Sequence, residues 1–142
     1  MSMNKLDLLK PKVRQLAEQL IAECKEQGIA IQITNTYRSV AEQNALYAQG
    51  RTKKGKIVTN AKGGQSFHNY CVAFDFVPVV KGKAVWKDEE LFNRVGKIGE
   101  VLGLEWGGSW KGFLDLPHFQ YTLGYTIAQF KDEEIDETQF AL

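Results

Sequence analysis

Between Cys71 and Val80 the residues alternate in a pattern that few folds accommodate. Successive side chains of a strand point to opposite faces, so Val72, Phe74 and Phe76 share one side while Cys71, Ala73 and Asp75 share the other. Three large apolar groups on one face demand a core. A carboxylate on the opposite face demands solvent or a polar partner. The segment is therefore expected to be a half-buried strand with a polar site on its open side.

The remaining periodicities decide what surrounds that strand. Val13, Leu16, Leu20, Ile21 and Cys24 recur at helical spacing, with Pro11 suited to the first turn and Gly28 to the stop, which predicts a helix over about 11–27. Ile29, Ile31 and Ile33 alternate with Ala30, Gln32 and Thr34 as a second half-buried strand. Ser39-Val40-Ala41-Glu42 has the form of a capping box, opening a short helix from Val40 to about Ala48 with Gly50 beyond it. Lys81-Gly82-Lys83 reads as a turn, with a short return strand over Ala84 to Trp86. Asp88 suits the cap of a helix reaching Leu102, with Leu91, Phe92, Val95, Ile98 and Leu102 on its buried side. Pro117 to Tyr121 is a further strand, His118 and Gln120 on one face and Phe119 and Tyr121 on the other. Helices mixed with hairpin-connected strands predict an α+β fold, one domain over 1–142, with a small antiparallel sheet and flanking helices.

Composition narrows the setting. A chain of 142 residues supports one core and not two ordinary ones. The net charge of +1 gives no global field toward nucleic acid. No apolar run approaches a membrane span, and Met1 to Lys12 lacks the apolar centre of a signal peptide. Cys24 and Cys71 lack C-x-x-C spacing and are expected to be reduced thiols. Residues 51–67 carry Arg51, Lys53, Lys54, Lys56 and Lys62 without one acidic residue, and read as a mobile basic loop, either simply solvated or attracting an anionic polymer. A small helix from about Thr126 is expected to lead into a solvated acidic tail over about 131–142.

The chain has two histidines, and each stands near a carboxylate. His68 is followed by Asp75, and Asp115 precedes His118. Both histidines can be hydrogen-bonded structural residues. Together with a carboxylate they also form the ligand inventory of a catalytic zinc, three protein donors and an open fourth position. Asp115 and His118 would point to opposite faces of a plain strand, but Pro117 disfavours helical geometry at Leu116 and favours a turn. Such a turn brings Asp115 beside the metal without making it a ligand, which suits a general base that takes a proton from water and returns it to the leaving amine. No H-E-x-x-H helix is present.

The run Ser66-x-His68-x-x-Cys71-x-Ala73-x-Asp75 resembles the S-x-H-x-x-G-x-A-x-D signature of the LAS zinc peptidases. These enzymes cut bacterial cell-wall peptides and include D-alanyl-D-alanine carboxypeptidases and L-alanyl-D-glutamate endopeptidases. Tyr37-Arg38-Ser39 with Gln43 is similar to their Y-R-S segment. Trp106-Gly107-Gly108-Ser109-Trp110, followed by Asp115-Leu116-Pro117-His118-Phe119, resembles the W-G-G-x-W and D-x-P-H-F runs of the endopeptidase branch. The resemblance spans about 28–122 and implies a catalytic core there, with the Hedgehog/DD-peptidase-like fold. It implies Zn2+ held by His68, Asp75 and His118, with Asp115 as catalytic base. It implies Arg38 as the group that steadies the oxyanion or a substrate carboxylate, a salt bridge being the plainer reading. Gln43 and Ser66 match positions at the substrate cleft.

The implied substrate is the stem peptide of bacterial peptidoglycan, cut at L-alanyl-D-glutamate. A D,D-carboxypeptidase or dipeptidase, and a non-catalytic zinc-stabilised wall-binding module, are the alternatives. A monomer is expected, with no nucleic-acid partner and no membrane insertion. Absence of a signal peptide suggests cytoplasmic accumulation and release as in phage or prophage lysins. One departure stands out: Cys71 replaces the family glycine. By strand parity its sulfur faces the same side as Asp75, as a packed pocket residue or as a fourth, inhibitory ligand. Trp106 and Trp110 suit either a cleft wall or core packing.

Overall fold

The computed structural model describes residues 5–142; the first four residues of the expected leaderless N-terminus lie outside it. Four helices, α1 (Pro11–Glu26), α2 (Val40–Ala48), α3 (Glu89–Val101) and α4 (Ile127–Lys131), surround strands β1 (Ala30–Asn35), β2 (Ala73–Val80), β3 (Lys83–Ala84), β4 (Glu105–Trp106) and β5 (His118–Gln120). The strands run antiparallel in the order β1-β2-β5-β4, with β3 paired to β2. This is the expected α+β architecture.

Local chemistry sets the element ends. Pro11 opens α1. The Ser39 hydroxyl accepts from the Glu42 backbone N–H while the Glu42 carboxylate accepts from the Ser39 N–H, the capping box that starts α2. The Asp88 carboxylate accepts from the Leu91 N–H at the start of α3. Thr126 and Gln129 form a second capping box at α4. The return strand is shorter than expected, and Trp86 is exposed beyond it.

The core runs from Leu9 and α1 through Phe74, Phe76 and Phe119 to Phe130 and Phe140. In α1 the buried face is Val13, Leu16, Ala17, Leu20 and Cys24, with Ile21 at its margin. In α3 the face is narrower than the leucines suggested: Phe92, Val95, Gly96 and Gly99 are buried, and Leu91, Ile98 and Leu102 only partly. The glycines permit the closest approach. A Cβ at Gly96 would stand 2.2 Å from the Trp106 ring, and one at Gly99 would stand 2.3 Å from Phe119. Gly96→Ala is therefore expected to destabilise the fold by about 1–3 kcal/mol, the usual effect of overpacking. A chemical-denaturation midpoint equal to wild type would show that Trp106 has room to yield.

Two expectations need correction. The segment after α4 is not a free tail. Its carboxylates are solvated, but Phe140 is fully buried in the core, Glu137 pairs with Lys10 at 2.7 Å, and residues Glu137–Phe140 form a 3-10 turn. The acidic run hid one aromatic large enough to anchor it, whose complete burial is worth about 1.5–3 kcal/mol. The basic loop is irregular yet tied down. The Arg51 guanidinium donates to the carbonyls of Tyr47 and Thr59 and to Asn60 Oδ1, and stacks on the Tyr47 ring at 3.8 Å. Gly63 N–H donates to Asn44 Oδ1. Lys53, Lys54 and Lys56 are left on its outer, exposed side.

Candidate metal centre

The sheet register builds the site. Asp75 of β2 faces His118 of β5 on one side and Asn35 of β1 on the other. The pairing of β1 slips between Ile33 and Asn35, and this irregularity brings Asn35 opposite Asp75, where its amide donates to Oδ2 at 3.3 Å. His68 arrives from outside the sheet, on a 3-10 turn (Phe67–Tyr70) capped by the Ser66 hydroxyl. Asn69 stitches that turn to the chain before α2: its oxygen accepts from the N–H groups of Gly64 and Ser66, and its amide donates to the Arg38 carbonyl.

His68 Nε2 lies 3.2 Å from Asp75 Oδ1, and His118 Nδ1 lies 3.3 Å from the same oxygen. One donor atom from each of the three residues falls within a 4.8 Å group. The outward ring nitrogens are occupied: His68 Nδ1 pairs with the Thr36 carbonyl at 2.9 Å, and His118 Nε2 with Gln120 Oε1 at 2.8 Å. With a metal in place of the inward contacts to Asp75, such outer bonds would leave the inward nitrogens as lone-pair donors, the arrangement of metal-binding histidines. Two imidazoles and a carboxylate suit zinc.

Electrostatics follow from the crowding. Burial pushes the Asp75 carboxyl up, but hydrogen bonds and charge from His118 and His68 outweigh it and hold the group well below the usual carboxylate range. Burial disfavours charge on His118, yet the Asp75 hydrogen bond and charge raise it overall. Asp115 behaves differently: burial and the Asp75 charge push its carboxyl up against the pull of His118.

Asp115 sits at the head of the turn that Pro117 predicted, with the His118 N–H donating to the Asp115 carbonyl at 3.1 Å. Its Oδ2 is 4.0 Å from His118 Nδ1, outside the tight group of three. The W-G-G run shapes this turn. A Cβ at Gly107 would meet the Asp115 carbonyl oxygen at 2.3 Å, and the Trp106 indole N–H donates to the Leu116 carbonyl at 2.8 Å. The two tryptophans divide their tasks: Trp106 is buried, whereas Trp110 lies against the His118 ring, centroids 5.1 Å apart, and lines the cleft.

That cleft has a volume of about 770 Å³ and takes in Arg38, Ser66, His68, Asp75, Asp115 and His118. Arg38 stands 3.9 Å from Asp75 Oδ2 and donates to Gln43 Oε1 at 2.8 Å. Gln43, expected near the substrate cleft, is fully buried and supports the Arg38 guanidinium that lines it. Its amide also donates to the Ala61 carbonyl, linking Arg38 to the basic loop. Thr36, Asn35 and Asn69 belong to the site but carry no periodicity or motif that marks them in the sequence, whereas Gln120 is marked only by sharing the His118 face of its strand.

Cys71 is not on the Asp75 face. It precedes β2 in the left-handed region, φ 63°, and lines a separate cleft with Lys10, Tyr70 and Phe130. Strand parity failed because the strand starts at Ala73. A positive φ also explains why glycine suits this position. Burial pushes the Cys71 thiol up, away from the thiolate a metal needs. Among the described residues both cysteines are free.

Residues 59–121 match the family model described as D-alanyl-D-alanine carboxypeptidase. The chain is 47% identical over 121 residues to the peptidoglycan L-alanyl-D-glutamate endopeptidase CwlK of Bacillus subtilis (strain 168), covering 79% of this chain and 72% of that protein. The chain belongs to the LAS-type M15 zinc peptidases. It is also 30% identical over 134 residues to the L-alanyl-D-glutamate peptidase of Listeria phage A118, covering 91% of this chain but 44% of the phage protein. The Serratia marcescens L-Ala D-Glu endopeptidase ChiX shares its fold, with a TM-score of 0.65 over 84% of each chain at 20% identity. As an M15 metallopeptidase the chain depends on zinc, and the His-Asp-His group has the donors to hold it.

Proposed function

We propose that this peptidase hydrolyses the L-alanyl-D-glutamate bond of peptidoglycan stem peptides, with His68, Asp75 and His118 as zinc ligands. The observation that carries the reading is the convergence of these three donors, Asp115 and Arg38 on one open cleft. Likeness to CwlK favours this bond over the terminal D-alanine bond.

His68, Asp75 and His118 would hold the zinc, which would supply Lewis acidity toward the scissile carbonyl and water. Asp115 accepts the proton of the attacking water and returns it to the leaving amine; its raised pKa matches that double duty. Arg38, oriented by Gln43, offers a fixed cation to the oxyanion or to a carboxylate of the substrate. Ser66 and Trp110 contribute cleft wall beside it. Residues 1–142 act as one unit, since the segment after 122 completes the core through Phe130 and Phe140.

The test is mass spectrometry of sacculi digested with and without a chelator. New amino-terminal glutamate, absent with chelator, is expected. Free D-alanine with an intact alanyl-glutamate bond would instead make the protein a carboxypeptidase.

The outward lysines supply attraction to the anionic wall. Replacing Lys53, Lys54 and Lys56 together with glutamine is expected to slow digestion of sacculi and flatten its salt dependence, while cleavage of a short soluble stem peptide is unchanged. Equal rates on sacculi would remove that role. No helix among the described residues is long and apolar enough to cross a membrane. A monomer without nucleic-acid or membrane partners, accumulating in the cytoplasm and reaching the wall on release, completes the proposal. Sedimentation and cell fractionation test it.

A further inference from the structure

The two histidines are oriented by unequal means. His68 Nδ1 meets a backbone carbonyl, which only accepts, so Nδ1 carries the proton and, in the neutral ring a metal requires, Nε2 faces inward as a lone pair. His118 Nε2 meets the side-chain amide of Gln120, which either accepts through oxygen or donates through nitrogen. Left to itself, Gln120 permits both tautomers. One of them turns an N–H toward Asp75.

Across the sheet Gln120 is paired with Glu105 of β4. The Gln120 amide nitrogen donates to Glu105 Oε1 at 3.3 Å, and the Thr122 backbone N–H donates to Glu105 Oε2 at 2.8 Å. The Thr122 hydroxyl adds bonds to the same carboxylate at 2.9 and 3.1 Å. Gln120 and Thr122 are buried. A carboxylate only accepts, so it claims the NH2 end of Gln120 and leaves the oxygen for His118.

We infer that Glu105 and Gln120 form a positioning relay, anchored on the Thr122 backbone N–H, that selects the His118 tautomer presenting Nδ1 to zinc. The inference rests on His118 being a ligand, as proposed above.

Substitution of Glu105 makes a specific demand. In Glu105→Gln the fixed Thr122 N–H still requires an oxygen, so the new NH2 faces Gln120. The Gln120 oxygen turns to meet it, its NH2 turns to His118, and the wrong tautomer is favoured. Glu105→Ala removes the same charge but leaves Gln120 free to turn either way. Combining Glu105→Gln with Gln120→Glu restores the order of donors and acceptors, because the carboxylate at 120 accepts from both His118 and the amide at 105.

Zinc affinity of the full chain, read by competition with a chromophoric chelator, is the measurement. Glu105→Gln is expected to weaken binding by about 10–100-fold, the usual effect of an outer partner. Glu105→Ala should lose less, and the double variant should recover most of the loss. Metal-free melting temperatures identify any variant that is unfolded; Gln120→Leu, which deletes the acceptor without adding charge, then replaces it and should also lose affinity. Equal loss in Glu105→Ala and Glu105→Gln would overturn the relay in favour of simple charge. Failure of the double variant to recover would overturn it as well. His118→Ala measured alongside separates the premise: wild-type affinity there would sink the ligand assignment and the relay with it.

Discussion

Asp115→Ala is expected to lower kcat/KM on a soluble stem peptide by about 10²–10⁴-fold, the range for a positioned acid–base group, while zinc affinity stays at the wild-type level. The separation follows from geometry. Asp115 Oδ2 is 4.0 Å from His118 Nδ1 and stands outside the 4.8 Å group of donors, so its removal takes nothing from the cage. Its carboxyl lines the same cleft and is pushed up by burial, which suits a group that must both take and give a proton. Asp115→Asn keeps the shape of the turn and should be similarly inactive. Retained activity in either variant would exclude Asp115 as the base. Loss of zinc together with activity would make it a ligand.

Asp75→Asn should abolish zinc binding and hydrolysis together, beyond the roughly 10–100-fold cost of losing an outer partner. Asp75 is the one anion among the three proposed ligands, shared by His68 and His118 and balanced by Arg38 at 3.9 Å. The amide keeps the size and the bond to Asn35 while removing the charge that offsets the cation. Chelator-treated wild type should show the same inactivity and recover on adding zinc, whereas the variant should not recover at stoichiometric metal. An Asp75→Asn protein that holds zinc as tightly as wild type would remove Asp75 from the ligand set.

The parts legible in the sequence are those governed by short-range rules. Val13 through Cys24, the Ser39 and Glu42 box and the Pro117 turn each depend on residues a few positions apart, and each is found where spacing put it. Cys71 shows where that logic ends. Parity assigns faces only once the strand has begun, and a single left-handed residue before Ala73 sends the thiol to another cleft. Phe140 shows the same limit in the opposite sense: its chain neighbours Gln139 and Ala141 are exposed, so only a distant hydrophobic surface could reveal its burial. Gln43, put near the cleft by resemblance, is held behind Arg38, where its buried amide satisfies the guanidinium and the Ala61 carbonyl together, an arrangement no local pattern announces.

By itself the sequence determined most of the element types, the strand with Asp75 on the face opposite Phe74 and Phe76, and a metal-binding inventory of two histidines with nearby carboxylates. These follow from period and residue chemistry. The tertiary structure alone decided which atoms meet. Pairing of β1, β2 and β5 sets Asn35, Asp75 and His118 in one row, and pairing of β4 with β5 sets Glu105 against Gln120. Hydrogen-bond register between strands distant in the chain has no local signature, yet it decides which side chains stand beside Asp75 and His118.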